Sequence, residues 1–228
     1  MMARLGHALA DEAGMAMLIP DFFGTGDSTG EFREADWATW LVNASDAAAY
    51  LQAKGGGPLY MGGLRAGALL ALAARDYLPE APCGWLFWHP VVSGRQLVQQ
   101  FLRLRVAADM GMAEEKETTK GLRARLEAGE MVEVAGYELP APLIMALENQ
   151  DLAAKAPPAG PGLWLDVAST PEQGPLPAVQ KVLDAWQQQE TAMEHASVVG
   201  DAFWFTQELA DVPALVTQSV AWLRGDPR

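Results

Sequence analysis

Residues 59–72, LYMGGLRAGALLAL, decide the fold of this chain. A short apolar run reaches two glycines, and an Ala- and Leu-rich stretch of helical character begins a few residues later. Strand, tight turn and helix in that order form the arrangement written G-x-S-x-G, in which a strained turn lifts one side chain to the top of a sheet. Gly63 and Gly67 are expected where strand and helix backbones approach too closely for side chains. Between them stand Leu64, Arg65 and Ala66, so an arginine occupies the serine position. A guanidinium is permanently charged and is no nucleophile, which excludes acyl transfer through residue 65.

Outward from this turn, helix-like and strand-like periods alternate, the signature of a mostly parallel α/β sheet. The pattern predicts a helix over 3–13, a strand over 15–19, an amphipathic helix over 36–53 and a strand over 58–62. Beyond residue 62 it predicts a helix over 66–78, strands over 84–89, 163–167 and 196–199, a helix from Pro175 or Pro177, and a last helix over 213–223. The segment 96–139 lacks the sheet rhythm, carries mixed charges and is expected to be a helical insertion or lid within a single domain spanning 1–228.

Composition bounds the function. The chain has 228 residues, a net charge of −13 and 50% hydrophobic residues, which suits one ordinary domain with a real core. The acidic balance argues against nucleic acid and anionic membrane as bulk partners. A single cysteine, Cys83, excludes an internal disulfide framework and any multi-cysteine metal site. No apolar run is long enough for a membrane span, and Asp11 and Glu12 ahead of the first apolar stretch reverse the charge order of a signal peptide. A cytoplasmic protein without metal or cofactor is the expectation.

A second turn, residues 15–30, reads MAMLIPDFFGTGDSTG. Gly24, Gly26 and Gly30 have the wrong spacing for a dinucleotide fingerprint, and no Lys-Ser or Lys-Thr pair completes a P-loop. Asp21, Gly24, Gly26 and Ser28 instead form D-x-x-G-x-G-x-S, which resembles the turn after the fourth strand of α/β-hydrolases. That resemblance implies a bracing role for Asp21 and Ser28 beside the active site.

In such a fold the acid and the histidine follow late strands at their carboxyl ends. Asp201, Ala202, Phe203 and Trp204 follow the last strand without a histidine, and His195 is expected at the strand's far end. His7 belongs to the first helix. Asp166, Glu172 and Asp201 are expected as surface carboxylates. Ser28, Ser93 and His89 are the remaining catalytic candidates, none with a visible base or orienting partner.

Arg65 invites an anion instead. A helix start presents unpaired amides and a positive dipole end near Leu64 and Ala66. Residues 91–108 hold three arginines, Arg95, Arg103 and Arg105, and no acid. Arg65, with Arg95 as partner, is therefore a candidate site for a carboxylate, phosphate or sulfate. The alternatives are an internal ion pair of Arg65 with Asp21, and a solvated helix face carrying Arg103 and Arg105.

DFFGTGDSTGEF, DWATWL, GGLRAGALLALAAR, WHPVVSGRQLVQQFLRLR and VVGDAFWFTQEL together resemble the exosortase A system-associated hydrolase 2 family over nearly the whole chain. The resemblance implies an α/β-hydrolase-like fold, partners in bacterial PEP-CTERM sorting and exopolysaccharide synthesis, and an elbow arginine as a shared feature. It also implies a strand between residues 15–19 and 58–62 that has no counterpart here. Either those two strands pair directly or the sequence is an N-terminal truncation, the second being the expectation. Two functions remain open: an ester or acyl hydrolase with a non-standard catalytic group, and a pseudo-hydrolase binding an anionic ligand or a partner protein.

Overall fold

The computed structural model describes residues 1–108, 117–206 and 210–225. Helix α1 (Met2–Ala8) runs into a π-helical turn (Leu9–Ala13) that stops at Gly14 in the left-handed conformation, φ 63°. Asp36 caps α2 (Trp37–Gly55), its carboxylate accepting from the Thr39 amide at 2.8 Å. Strand β1 (Tyr60–Leu64) leads through Arg65 into α3 (Ala66–Ala74), and β2 (Gly84–Trp88) is buried along its whole length.

The segment expected to be a helical lid contains α4 (Gly94–Ala108) and α5 (Thr119–Glu127), with residues 109–116 outside the described residues. It also contains an antiparallel hairpin, β3 (Val132–Val134) and β4 (Tyr137–Leu139), which the reading of mixed charge overlooked. Its strands are three residues long, too short to show alternation, and the turn between them places Ala135 and Gly136 at positive φ. Then come α6 (Ala141–Glu148), β5 (Gly162–Ala168), α7 (Pro177–Gln187), β6 (Met193–Val199) and α8 (Pro213–Arg224).

The main sheet is parallel in the order β1-β2-β5-β6. Alternation within the buried strands sorts their side chains to two faces. Trp85, Phe87 and Trp164 pack with Leu41, Leu72, Val182 and Trp186 from α2, α3 and α7. Leu86, Trp88, Leu163 and Leu165 pack with Leu5 and Leu215 from α1 and α8. Burying an indole requires a partner for its N–H. Trp85 donates to the Ala159 carbonyl at 2.9 Å, Trp88 to Ser219 Oγ at 2.9 Å and Trp186 to the Lys155 carbonyl at 3.2 Å.

The strand expected over 15–19 does not form, and that segment does not pair with β1. An apolar slot of about 370 Å³ lies there, lined by Met15, Met17 and Ile19, by Leu5 and Leu9, and by β1 itself. Without a neighbour within reach, residues 15–19 have no ladder to join, and β1 is an edge strand of the described sheet. Among the described residues no helix is long and apolar enough to cross a membrane.

Candidate functional site

The elbow is built as its sequence requires. Gly63 has no room for a side chain, because a Cβ there would overlap the backbone of Gly67 and Ala68. The expectation for Gly67 fails: a Cβ there meets nothing within 4 Å, since Gly67 lines the apolar slot. Arg65 sits at φ 54°, ψ −120°, a conformation that L-residues rarely adopt. The strain is held by its amide, which donates to the Trp88 carbonyl at 3.0 Å, and by its carbonyl, which accepts from Val91 at 3.1 Å.

Strand register assembles the rest. Leu64 pairs with Trp88, Trp88 with Leu165, and Asp166 with Ser197. One residue further on, Arg65, His89 and Asp166 therefore form a row at the carboxyl end of neighbouring strands. His89, also at positive φ (40°), extends the ladder by donating its amide to the Leu165 carbonyl at 2.7 Å.

Asp166 corrects the expectation of a surface carboxylate: it is 7% exposed. Its Oδ1 accepts from Trp164 Nε1 at 3.0 Å and its Oδ2 from His195 Nε2 at 2.9 Å. His195 lies inside β6, third from its start at Met193 and paired with Trp164, and from the starting half of the strand it still reaches Asp166. Trp164 and Asp166 are two apart on β5 and so share a face, a spacing from which their contact was readable. Glu172 and Asp201 are exposed as expected.

His89 Nδ1 lies 3.1 Å from the Val167 amide and 3.4 Å from Asp166 Oδ1. The amide contact is shorter and its direction is fixed, so Nδ1 accepts and the proton resides on Nε2. Burial pushes the imidazole below its usual range, Asp166 opposes this, and Arg65 adds to it. His89 is thus neutral near pH 7 and presents an N–H donor in place of a base.

Trp204, from the loop after β6, covers both groups. Its ring stacks on His89 at 4.7 Å between centroids, and the Arg65 guanidinium lies 5.0 Å from the Trp204 centroid and 5.9 Å from that of Phe205. Trp204 Nε1 is buried and has no hydrogen-bond partner among the described residues. Burial lowers the Arg65 value, with the Asp166 charge opposing, and one guanidinium nitrogen reaches the His89 carbonyl at 3.3 Å. Among the described residues no carboxylate lies within ion-pair distance of Arg65, the expected alternative Asp21 included. Asp21 instead accepts from the Asp27 amide at 3.0 Å, packs against Gly26 and braces its own turn.

Ser28 lies in that turn, its amide bonded to the Thr25 carbonyl at 3.0 Å, and Ser93 bridges to Asp151 ahead of α4. Neither hydroxyl meets a histidine among the described residues. Arg95 lies on the exposed side of α4 and lines a different groove, in which Arg65 has no part. Arg65, His89 and Trp204 thus bring three N–H donor groups together at the carboxyl end of the sheet.

This arrangement stands on an α/β-hydrolase fold. No family model and no curated protein matches the sequence. Solved structures of similar fold include Est1E from Butyrivibrio proteoclasticus with bound ferulic acid, at TM-score 0.64 and 17% identity over 97% of this chain and 80% of that one. The metagenome-derived lipolytic enzymes LipS and LipT follow at TM-score 0.61 and 16% identity, covering 98% and 87%. A monoacylglycerol lipase of Paleococcus ferrophilus aligns at TM-score 0.55 and 13% identity, covering 98% and 89%.

A pH titration checks the His89 assignment. Because its folded value is depressed, the unfolded chain binds more protons below the ordinary imidazole range of about 6.5. Stability is expected to fall as pH drops from there towards the lower folded value. The ring resonances of His89 should titrate below that range and move upward in Arg65→Ala, where one lowering charge is gone. An unshifted titration would contradict the assignment.

Proposed function

We propose that this chain is a hydrolase-fold protein whose elbow binds an anion in place of performing acyl transfer. One observation carries the reading: Arg65 holds the elbow backbone, φ 54° and ψ −120°, with no carboxylate partner among the described residues. The donor set of Arg65, His89 Nε2 and Trp204 Nε1, with the first amides of α3 at Ala66, fits a carboxylate, phosphate or sulfate. Resemblance to the exosortase-associated family supports a ligand drawn from carrier-linked or polysaccharide-derived anions. The esterase and lipase neighbours favour a second reading, hydrolysis by a non-standard group such as Ser93, Ser28 or His89.

Calorimetric titration with benzoate and sulfate separates the two. The parent chain is expected to bind, and Arg65→Ala to lose at least tenfold in affinity, the scale of a charge-assisted hydrogen bond. A fluorophosphonate probe is expected to leave the protein unlabelled. Labelling abolished by Ser93→Ala or Ser28→Ala, or equal anion affinity in Arg65→Ala, would overturn the binding reading.

A further inference from the structure

The outer face of α4 carries a polar groove, separate from the elbow. Arg95, Gln96, Gln99, Gln100 and Arg103 recur at helical spacing on one side, while Leu97, Val98 and Leu102 bury the other. With Arg123 from α5 they line an open groove of about 490 Å³. Among the described residues every lining side chain is an arginine or a glutamine, in a chain of net charge −13.

The groove's chemistry is specific. Arg123 is held by Glu148 and donates to Gln99 Oε1 at 3.0 Å, so its charge is compensated and its position fixed. That bond occupies the Gln99 carbonyl and leaves its amide N–H groups for a ligand. Arg95 and Arg103 meet no carboxylate among the described residues and keep their guanidinium forks available. Eight residues apart on one helix, they stand about 12 Å apart along its axis, and their long side chains can converge on one ligand. Glutamine amides both donate and accept, which suits hydroxyl groups. Among the described residues no aromatic ring lines the groove, and those residues offer no platform for stacking a nucleobase.

We propose that this groove binds a polyhydroxylated anion, a sugar carrying a phosphate, sulfate or carboxylate group. The arginines take the anionic group and Gln96, Gln99 and Gln100 take the hydroxyls. This site is independent of the one at Arg65.

Calorimetry with glucose 6-phosphate, inorganic phosphate and glucose tests it. Glucose 6-phosphate is expected to bind more tightly than phosphate, and glucose not to bind. The double variant Arg95→Ala, Arg103→Ala should lose at least tenfold for glucose 6-phosphate and keep benzoate binding at the elbow. Both arginines are exposed, so the variant is expected to fold, which an unchanged melting temperature verifies. Gln96→Ala with Gln100→Ala should weaken glucose 6-phosphate and leave phosphate alone. Absence of glucose 6-phosphate binding in the parent, or equal affinity in the double arginine variant, would overturn the proposal.

Discussion

Asp166→Ala is expected to destabilise the protein by about 2–5 kcal/mol, read as a lowered urea midpoint at unchanged slope. The carboxylate accepts from two partners, Trp164 Nε1 at 3.0 Å and His195 Nε2 at 2.9 Å, and Trp164 is fully buried. Removing it strands the buried indole N–H of Trp164 away from water, at about 1–3 kcal/mol, and takes the partner from the partly exposed His195. It also removes the charge that offsets the burial of Arg65 and His89. Asp166→Asn keeps one acceptor and should cost less. Because it deletes a negative charge near Arg65, it should also raise anion affinity at the elbow. A loss below about 0.5 kcal/mol in the alanine variant would mean that Asp166 does not organise the row.

Gly63→Ala is expected to cost about 3 kcal/mol or more, at the upper end of overpacking effects. The added methyl would meet the backbone of Gly67 and Ala68, and backbone at a strained turn has no rotamer by which to yield. For a chain of this size that is a fall of about 6–12 °C in Tm. Gly67→Ala supplies the contrast: its Cβ meets nothing within 4 Å and alanine is the better helix former, so it should be neutral or stabilising. Equal losses at both positions would contradict the packing described for the turn.

The elbow was the most legible part of the sequence, because its chemistry is local. Gly63, Arg65 and the helix after them report directly on one turn, and strands β2 and β5 followed from apolar runs that the structure buries on both faces, while β1 followed from the short run ahead of the turn. What depended on strand register was harder to read. His195 was misplaced because β6 begins three residues before its obviously apolar part, with Glu194 and His195 inside it. Arg95 was grouped with Arg65 because it follows the next strand in an arginine-rich, acid-free stretch, although Leu97, Val98 and Leu102 already fixed the buried side of α4 and set Arg95 on the other. Residues 15–19 have strand character, but a strand also needs a neighbour, and composition does not reveal whether one lies beside it.

Trp204 is where sequence offered least and structure most. Its neighbours Phe203 and Phe205 suggest only an aromatic loop, yet the fold lays its ring over both His89 and Arg65 and gives its indole nitrogen no partner among the described residues. A buried donor without a partner among the described residues, next to a cation that none of their carboxylates reaches within ion-pair distance, is the physical case for a bound anion. The indole N–H resonance of Trp204, assigned among the eight tryptophans by Trp204→Phe, tests that case most directly. During titration with benzoate it is expected to shift with saturation in the parent chain and to stay still in Arg65→Ala. A resonance that does not move while benzoate binds, or that moves equally in both proteins, would contradict an anion site at the elbow.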